Sequence, residues 1–191
     1  MSEEHRRSEG FLAPVEYSRR APYRRPPSAY LRMQWIGPLL ARWAVVPGYV
    51  AILEVRGRRS GAVRRVTVVR VSSGGAGYVV ALAGESEWVR NVRAAGGRVR
   101  IGRRHRRPAS LVEVPVAERA PVIRAYVWRA GRRPGSRAAT REARTYFGIA
   151  ADANLEDIEK IAGYYPVFRI VEDGGPAAAG AGAAGHGPEI P

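Results

Sequence analysis

Apolar residues between Tyr49 and Val171 recur with two different periods, and the switches between them lay out the elements. Period-two, β-branched runs over Tyr49 to Val55, Arg65 to Val71 and Tyr78 to Leu82 predict three antiparallel strands. The turn signals between them are Arg56-Gly57, Ser60-Gly61 and the stretch Ser72 to Gly77. The segment Ser86 to Ala95 carries Trp88, Val89 and Val92 at helical spacing and stops at Gly96-Gly97, which predicts a short helix with a glycine end. Strands resume at Arg98 to Arg104 and Ser110 to Val114, and Ala117 to Ala130 then places Val122, Ile123, Tyr126 and Val127 on one helical face. A polar helical region is predicted from about Ser136 to Ala162, and a last strand from Tyr165 to Val171. Upstream, Ser28 is an N-cap candidate for a helix with the stripe Leu31, Trp35, Leu39, Leu40 and Trp43, kinked at Pro38. That helix either packs on the sheet or, with Arg32, Arg42 and two tryptophans, lies on a membrane surface. Six strands in meander order with a helix between the third and fourth predict a mainly β, α+β fold. A small closed or split barrel is the expected form, because closure removes the edges that short strands would expose.

The two ends of the chain break this pattern. Residues 1–27 mix six arginines, from Arg6 to Arg25, with Pro14, Pro22, Pro26 and Pro27 and predict a disordered basic arm; residues 173–191, almost all Gly, Ala and Pro, predict a disordered tail. The barrel domain is then expected over 28–172, which suits a 191-residue chain with one core. With no cysteine there is no disulfide scaffold, thiolate nucleophile or Cys-based metal site. No apolar run approaches the ~18 residues that span a bilayer, and Met1 to Gly10 has no apolar leader core, so a cytoplasmic protein is expected. Charge changes the picture more: 32 basic against 17 acidic residues give +15, and with Lys160 the single lysine the excess is arginine. An anionic partner is implied.

The densest candidate for it is Arg56-Gly57-Arg58-Arg59-Ser60-Gly61-Ala62-Val63-Arg64-Arg65, a glycine-punctuated turn between two strands with five arginines and a hydroxyl. Gly57 and Gly61 allow positive φ, so backbone N–H groups and guanidinium forks can converge on one anion; alternatively the turn is solvated at the barrel rim. It is neither a Walker A loop nor a dinucleotide fingerprint, since it leads into a strand rather than a helix. In Trp88-Val89-Arg90-Asn91, an indole and a side-chain amide share one helix face, able to wall a planar heterocycle or simply to pack and cap. The run Arg103-Arg104-His105-Arg106-Arg107 reads as a phosphate-backbone contact or as a solvated hairpin tip, with no aromatic for base stacking. His5, His105 and His186 have no metal-ligand partner at helical spacing, and no Gly-x-Ser-x-Gly elbow is present, so neither a metal site nor a serine-hydrolase triad is expected.

Two of these features, taken together, resemble the deazaflavin-dependent nitroreductase family, small split-barrel proteins that use coenzyme F-420. Its Gly-Arg-Lys-Ser/Thr-Gly-x-x-Arg hallmark is matched by Gly57-Arg58-Arg59-Ser60-Gly61-Ala62-Val63-Arg64, and its Trp-x-x-Asn-Leu hallmark by Trp88-Val89-Arg90-Asn91-Val92. Tyr165-Pro166-Val167-Phe168 matches the last-strand motif loosely, and the resemblance covers about residues 40 to 171. It implies a six-stranded split barrel of the flavin-reductase and pyridoxamine-phosphate-oxidase type. It also implies a deazaflavin-dependent oxidoreductase passing a hydride between coenzyme F-420 and a small organic electrophile: a nitro, quinone or activated alkene compound.

On this resemblance Arg58, Arg59, Ser60, Gly61 and Arg64 hold the coenzyme's phosphate and nearby tail. Arg65, Val66, Thr67 and Val68 run beneath its ring, Ala81, Leu82 and Ala83 present backbone groups to its polar edge, and Trp88 and Asn91 close the pocket. Departures are Arg59 in place of lysine, Thr67 in place of a frequent proline, and the short link Glu85-Ser86-Glu87, which brings two carboxylates near the anion. No proton donor is identified; Tyr126, Tyr146, Tyr164 and Tyr165 lie in the C-terminal region that lines the substrate side in the family it resembles, and each reads as a packing aromatic rather than a catalytic acid. Flavin mononucleotide is the second cofactor candidate, and an arginine-rich nucleic-acid-binding module is the alternative function, although no nucleic-acid partner is expected. The expected assembly is a monomer or homodimer, with peripheral membrane contact through the Trp35/Trp43 helix.

Overall fold

The structure, a computed structural model, describes residues 48–129 and 136–172. The basic arm, the Ser28 to Trp43 helix and the Gly/Ala/Pro tail of the sequence reading lie outside the described residues. Six strands form: β1 (Val50–Arg56), β2 (Val63–Ser73), β3 (Ala76–Val80), β4 (Arg98–Gly102), β5 (Arg107–Glu113) and β6 (Val167–Glu172). The helices are α1 (Glu87–Ala94), α2 (Arg119–Val127), α3 (Arg137–Glu142) and α4 (Leu155–Ala162), with a 3₁₀ turn at Val116–Glu118 and a π-helical turn at Ala143–Phe147. All six strands close into one antiparallel barrel, in the order β1-β2-β3-β6-β5-β4 with β4 returning to β1.

The barrel is as the alternation predicts, but its order is not a single meander. β1 to β3 form one meander and β4 to β6 a second. α1 carries the chain across the barrel end, so β3 pairs with β6 (Tyr78 opposite Arg169) and β4 with β1 (Ile101 opposite Leu53). β3 and β4 are therefore not neighbours. β3 also stops at Val80, two residues earlier than expected, because the chain turns at once through a Gly84 N–H to Ala81 O bond of 3.0 Å. β4 ends at Gly102, which leaves Arg103 to Arg106 as the hairpin turn.

Period two sorts the side chains into two cores. Leu53, Val68, Val79, Ile101, Leu111 and Phe168 fill the barrel, joined by Val89 and Val92 from the apolar face of α1. Val71 and Val80 point the other way and meet Ile123, Tyr126, Phe147, Ile158 and Tyr165 of the helical layer. Three rings lock that layer: Phe147 sits edge-on to Tyr126 at 5.6 Å and to Tyr165 at 4.8 Å between centroids. The segment read as a polar helical region is thus a correction, since it contributes Ala139, Ala143, Phe147, Ile158 and Ile161 to the core. Its apolar positions are mostly small alanines, and the π turn inserts a residue that breaks the 3.6 period.

Candidate functional site

One cavity of about 720 Å³ lies along β2, between the β1–β2 turn, the N-terminus of α1 and the helical layer. Its size suits a cofactor-sized ligand. The turn residues Arg58, Arg59, Ser60, Arg64 and Arg65, the strand residues Val66, Thr67 and Val68, and Leu82, Ala83, Trp88 and Asn91 all line it. Gly61 and Ala81 do not. Gly61 supplies the positive φ (66°) at which the turn closes, and Ala81 sits inside the barrel with its N–H donated to Pro166 O at 2.9 Å.

The β1–β2 turn is built differently from an amide nest. Gly57 N–H donates to Ala62 O at 2.8 Å, Gly61 N–H to Gly57 O at 2.8 Å, and Arg58 N–H to Asn91 Oδ1 at 3.1 Å. These amides are consumed in closing the turn and tying it to α1. Arg58 is consumed as well: Nη1 donates to Glu87 Oε2 at 2.7 Å and to Asn91 Oδ1 at 3.1 Å, and Nη2 to Glu87 Oε1 at 3.2 Å. That bond raises the Arg58 pKa and holds the Glu87 carboxyl below the usual carboxylate range. Free basic capacity therefore resides in Arg59 and Arg64, neither of which has a carboxylate partner among the described residues; Arg64 Nη2 reaches Ser60 Oγ at 3.5 Å. Arg65 shares Glu54 with Arg106, each at 2.8 Å.

The short link before α1 also resolves. Glu85 turns away to Arg93 (2.7 Å) and Glu87 is taken by Arg58, so neither carboxylate faces the cavity unpaired. Ser86 begins α1 without capping it: the residue lines the cavity, and its Oγ is buried with no hydrogen-bond partner among the described residues. Thr67 Oγ1 on β2 is in the same condition. Two hydroxyls orphaned among the described residues, each costing about 1–3 kcal/mol if left unpaired, thus belong to residues lining a cavity whose β2 wall is otherwise valine beyond Arg64 and Arg65. Trp88 both packs and lines, its ring 5.7 Å from that of Phe168.

Sequence reasoning did not assign to the site Arg129, just past α2 in the helical layer, or Ser86 and Glu87 at the start of α1. Of the four tyrosines considered, Tyr126 and Tyr146 line the cavity; Tyr165 is fully buried with its hydroxyl donated to Tyr146 O at 2.5 Å, and Tyr164 is surface-exposed. No signal along the chain marks Arg129, because its place depends on how α2 docks on β2 and β3. Among the described residues no cluster of His, Asp and Glu could hold a metal ion, and no helix is long and apolar enough to cross a membrane.

A flat group with a polar edge and an anionic extension suits such a cavity: apolar strand wall, two hydroxyls without partners, and guanidinium groups at one mouth. No curated protein matches the chain. Among solved structures it is similar to an F420-H2 dependent reductase (19% identity, 64% of this chain and 93% of that one, TM-score 0.40). It is also similar to an FAD-binding protein from Mesorhizobium loti (14%, 71% and 88%, TM-score 0.39) and to a conserved hypothetical protein from Mycobacterium tuberculosis (16%, 87% and 98%, TM-score 0.37). The model of the F420H(2)-dependent quinone reductase family matches residues 28–138, more than half of the chain and the part that carries the β1–β2 turn, β2 and α1. The chain therefore belongs to the F420H(2)-dependent quinone reductase family, deazaflavin-dependent oxidoreductases that transfer a hydride to an organic acceptor.

Proposed function

We propose that this cavity binds coenzyme F-420 and a quinone together, with the coenzyme's phosphate and acidic tail at the β1–β2 turn and its ring against β2. The observation that carries this reading is the convergence in one cavity of Arg59, Ser60 and Arg64 with the orphaned hydroxyls of Thr67 and Ser86. Arg59 and Arg64 take the phosphate as guanidinium forks, which suit its geometry better than ammonium groups. Arg58 acts at one remove, holding the turn through Glu87 and Asn91. Arg65 through Val68 form the floor for the ring, Thr67 Oγ1 and Ser86 Oγ bond its polar atoms, and Leu82, Ala83 and Trp88 exclude water from its edge.

When bound, the reduced coenzyme supplies the hydride and its electron pair. The chain's own part is to orient, to keep the site dry and to leave room for the acceptor beside Tyr126 and Tyr146. Glu87 is no acid for this reaction, because Arg58 keeps it ionised at neutral pH.

The test is a titration of the purified protein with oxidised coenzyme F-420, followed by its fluorescence at low salt. Saturable binding is expected, and Arg64→Ala should weaken it by about tenfold or more, the scale of a lost charge-assisted bond. Absence of binding by the wild-type protein, or tighter binding of flavin mononucleotide than of coenzyme F-420, would overturn the reading.

A further inference from the structure

The helix wall of the cavity carries a group that coenzyme binding leaves unused. Arg129 follows α2 directly, lines the cavity, and its side chain is only 8% exposed. Nη1 donates to Glu142 Oε2 at 2.6 Å and to Tyr126 O at 2.7 Å, and Nη2 donates to Glu142 Oε1 at 3.0 Å. The guanidinium carbon lies 4.0 Å from the centroid of the Tyr126 ring, so the group is stacked as well as bonded. A guanidinium has five N–H donors, and these bonds use three of them. The two left over are the Nε–H and the second Nη2–H, which run side by side along the edge turned away from Glu142. Nε is buried and has no hydrogen-bond partner among the described residues.

A buried N–H without an acceptor is costly even on a paired guanidinium, and it calls for a partner. We infer that the free Nε/Nη2 edge of Arg129 grips the oxygen of the electron acceptor, a quinone carbonyl or the paired oxygens of a nitro group. This rests on the reading of the cavity as a joint coenzyme and acceptor site. The guanidinium's part is to donate hydrogen bonds, not to deliver a proton. Its effect is to fix the acceptor and stabilise the negative charge its oxygen gains as the hydride arrives. Glu142 and the Tyr126 ring stop the fork from turning, and Glu142 offsets the charge, so a neutral acceptor enters without leaving a naked cation. Acceptors with a carbonyl or nitro oxygen are thus selected over hydrocarbons of the same shape.

The experiment titrates 1,4-naphthoquinone into coenzyme-free protein, read by isothermal calorimetry, with naphthalene as the matched probe lacking oxygen. Two variants are compared with wild type: Arg129→Lys, which keeps the charge beside Glu142 but has no side-on edge, and the double variant Arg129→Gln with Glu142→Gln, which leaves no unpaired charge. Each is expected to weaken naphthoquinone binding by about tenfold, to change naphthalene binding less than about twofold, and to leave the coenzyme titration unchanged. Should the lysine variant not fold, the double variant decides. The inference is overturned if a folded variant binds naphthoquinone like wild type, if both probes lose equally, or if wild type shows no saturable naphthoquinone binding with or without coenzyme. Failure of the coenzyme titration alone sinks the joint-site reading instead, and the naphthoquinone arm still reports on the Arg129 edge.

Discussion

Asn91 is buried on α1, and its Oδ1 accepts from both the backbone N–H and Nη1 of Arg58, 33 positions earlier in the chain. One amide oxygen thus fixes the glycine-arginine turn to the helix that follows β3, and this is why the two motifs occur together. Residue type and spacing left each motif open between a site and plain packing, and the family resemblance is what joined them as candidates for one site. Neither revealed that Arg58 is spent on Glu87 and Asn91, because that pairing depends on where α1 meets β1 in space. Asn91→Ala removes the acceptor while Arg58 N–H stays in place, so a loss of about 1–3 kcal/mol is expected. Thermal unfolding should show a midpoint lower by several degrees, and amide exchange should quicken selectively from Arg58 to Gly61. Asn91→Asp keeps an acceptor beside a guanidinium and should retain the midpoint. Unchanged exchange in the alanine variant would mean that the turn holds its shape by its internal bonds alone.

Elements were legible where hydrophobic period and turn chemistry agreed, as in β1 and β2, where β-branched alternation flanks Gly57 and Gly61. They were illegible where packing sets the structure. The pairing of β3 with β6 joins residues about 90 positions apart, such as Tyr78 and Arg169, and nothing local encodes it. The small alanines of α3 and the π turn hide a core face for a related reason. α1 ends in a feature that the glycine stop did announce: Gly97 has φ +79°, its carbonyl accepts from Leu111 N–H at 2.9 Å, and a Cβ there would lie 2.6 Å from Leu111 O. Both atoms are backbone, so no rotamer relieves the contact. Gly97→Ala should therefore cost at least about 2 kcal/mol, the left-handed penalty plus displacement of β5. Gly75→Ala is the control, with φ +76° and nothing within 4 Å of the added atom, and should cost only the backbone term, about 1 kcal/mol. Denaturant midpoints of the two variants measure the difference; equal losses would show that β5 yields freely.

With 17 acidic residues against 32 basic ones, carboxylates are the scarce partner across the whole molecule, and single acids serve several arginines. Glu54 lies within ion-pair distance of Arg65, Arg100 and Arg106. Glu113 accepts from Arg93 at 2.7 Å and from the buried Arg119 at 3.1 Å. Arg119 in turn donates to Val114 O and Tyr165 O, which ties α2, and with it the cavity's helix wall, to the barrel. The hydrogen bond from Arg93 holds Glu113 below its ordinary pKa, as Arg58 does for Glu87. A carboxyl whose pKa is lower folded than unfolded contributes all its stability above the unfolded value, about 4.3. That contribution is lost as pH falls through the folded value. The thermal midpoint should accordingly stay level from pH 7 to about pH 5 and fall below pH 4, where protonated acids leave arginines facing one another. Raising salt from about 0.05 to 0.5 M should recover part of the loss at pH 3.5, because repulsion between exposed guanidinium groups is screened. Ligand binding should weaken over the same acid range, since the Glu113–Arg119 contact is one of those that seat α2, beside its apolar face and the Arg119 bonds to Val114 O and Tyr165 O. A midpoint that rises on acidification, or one at pH 3.5 that salt lowers further, would show that apolar packing rather than shared carboxylates holds the helical layer on the barrel.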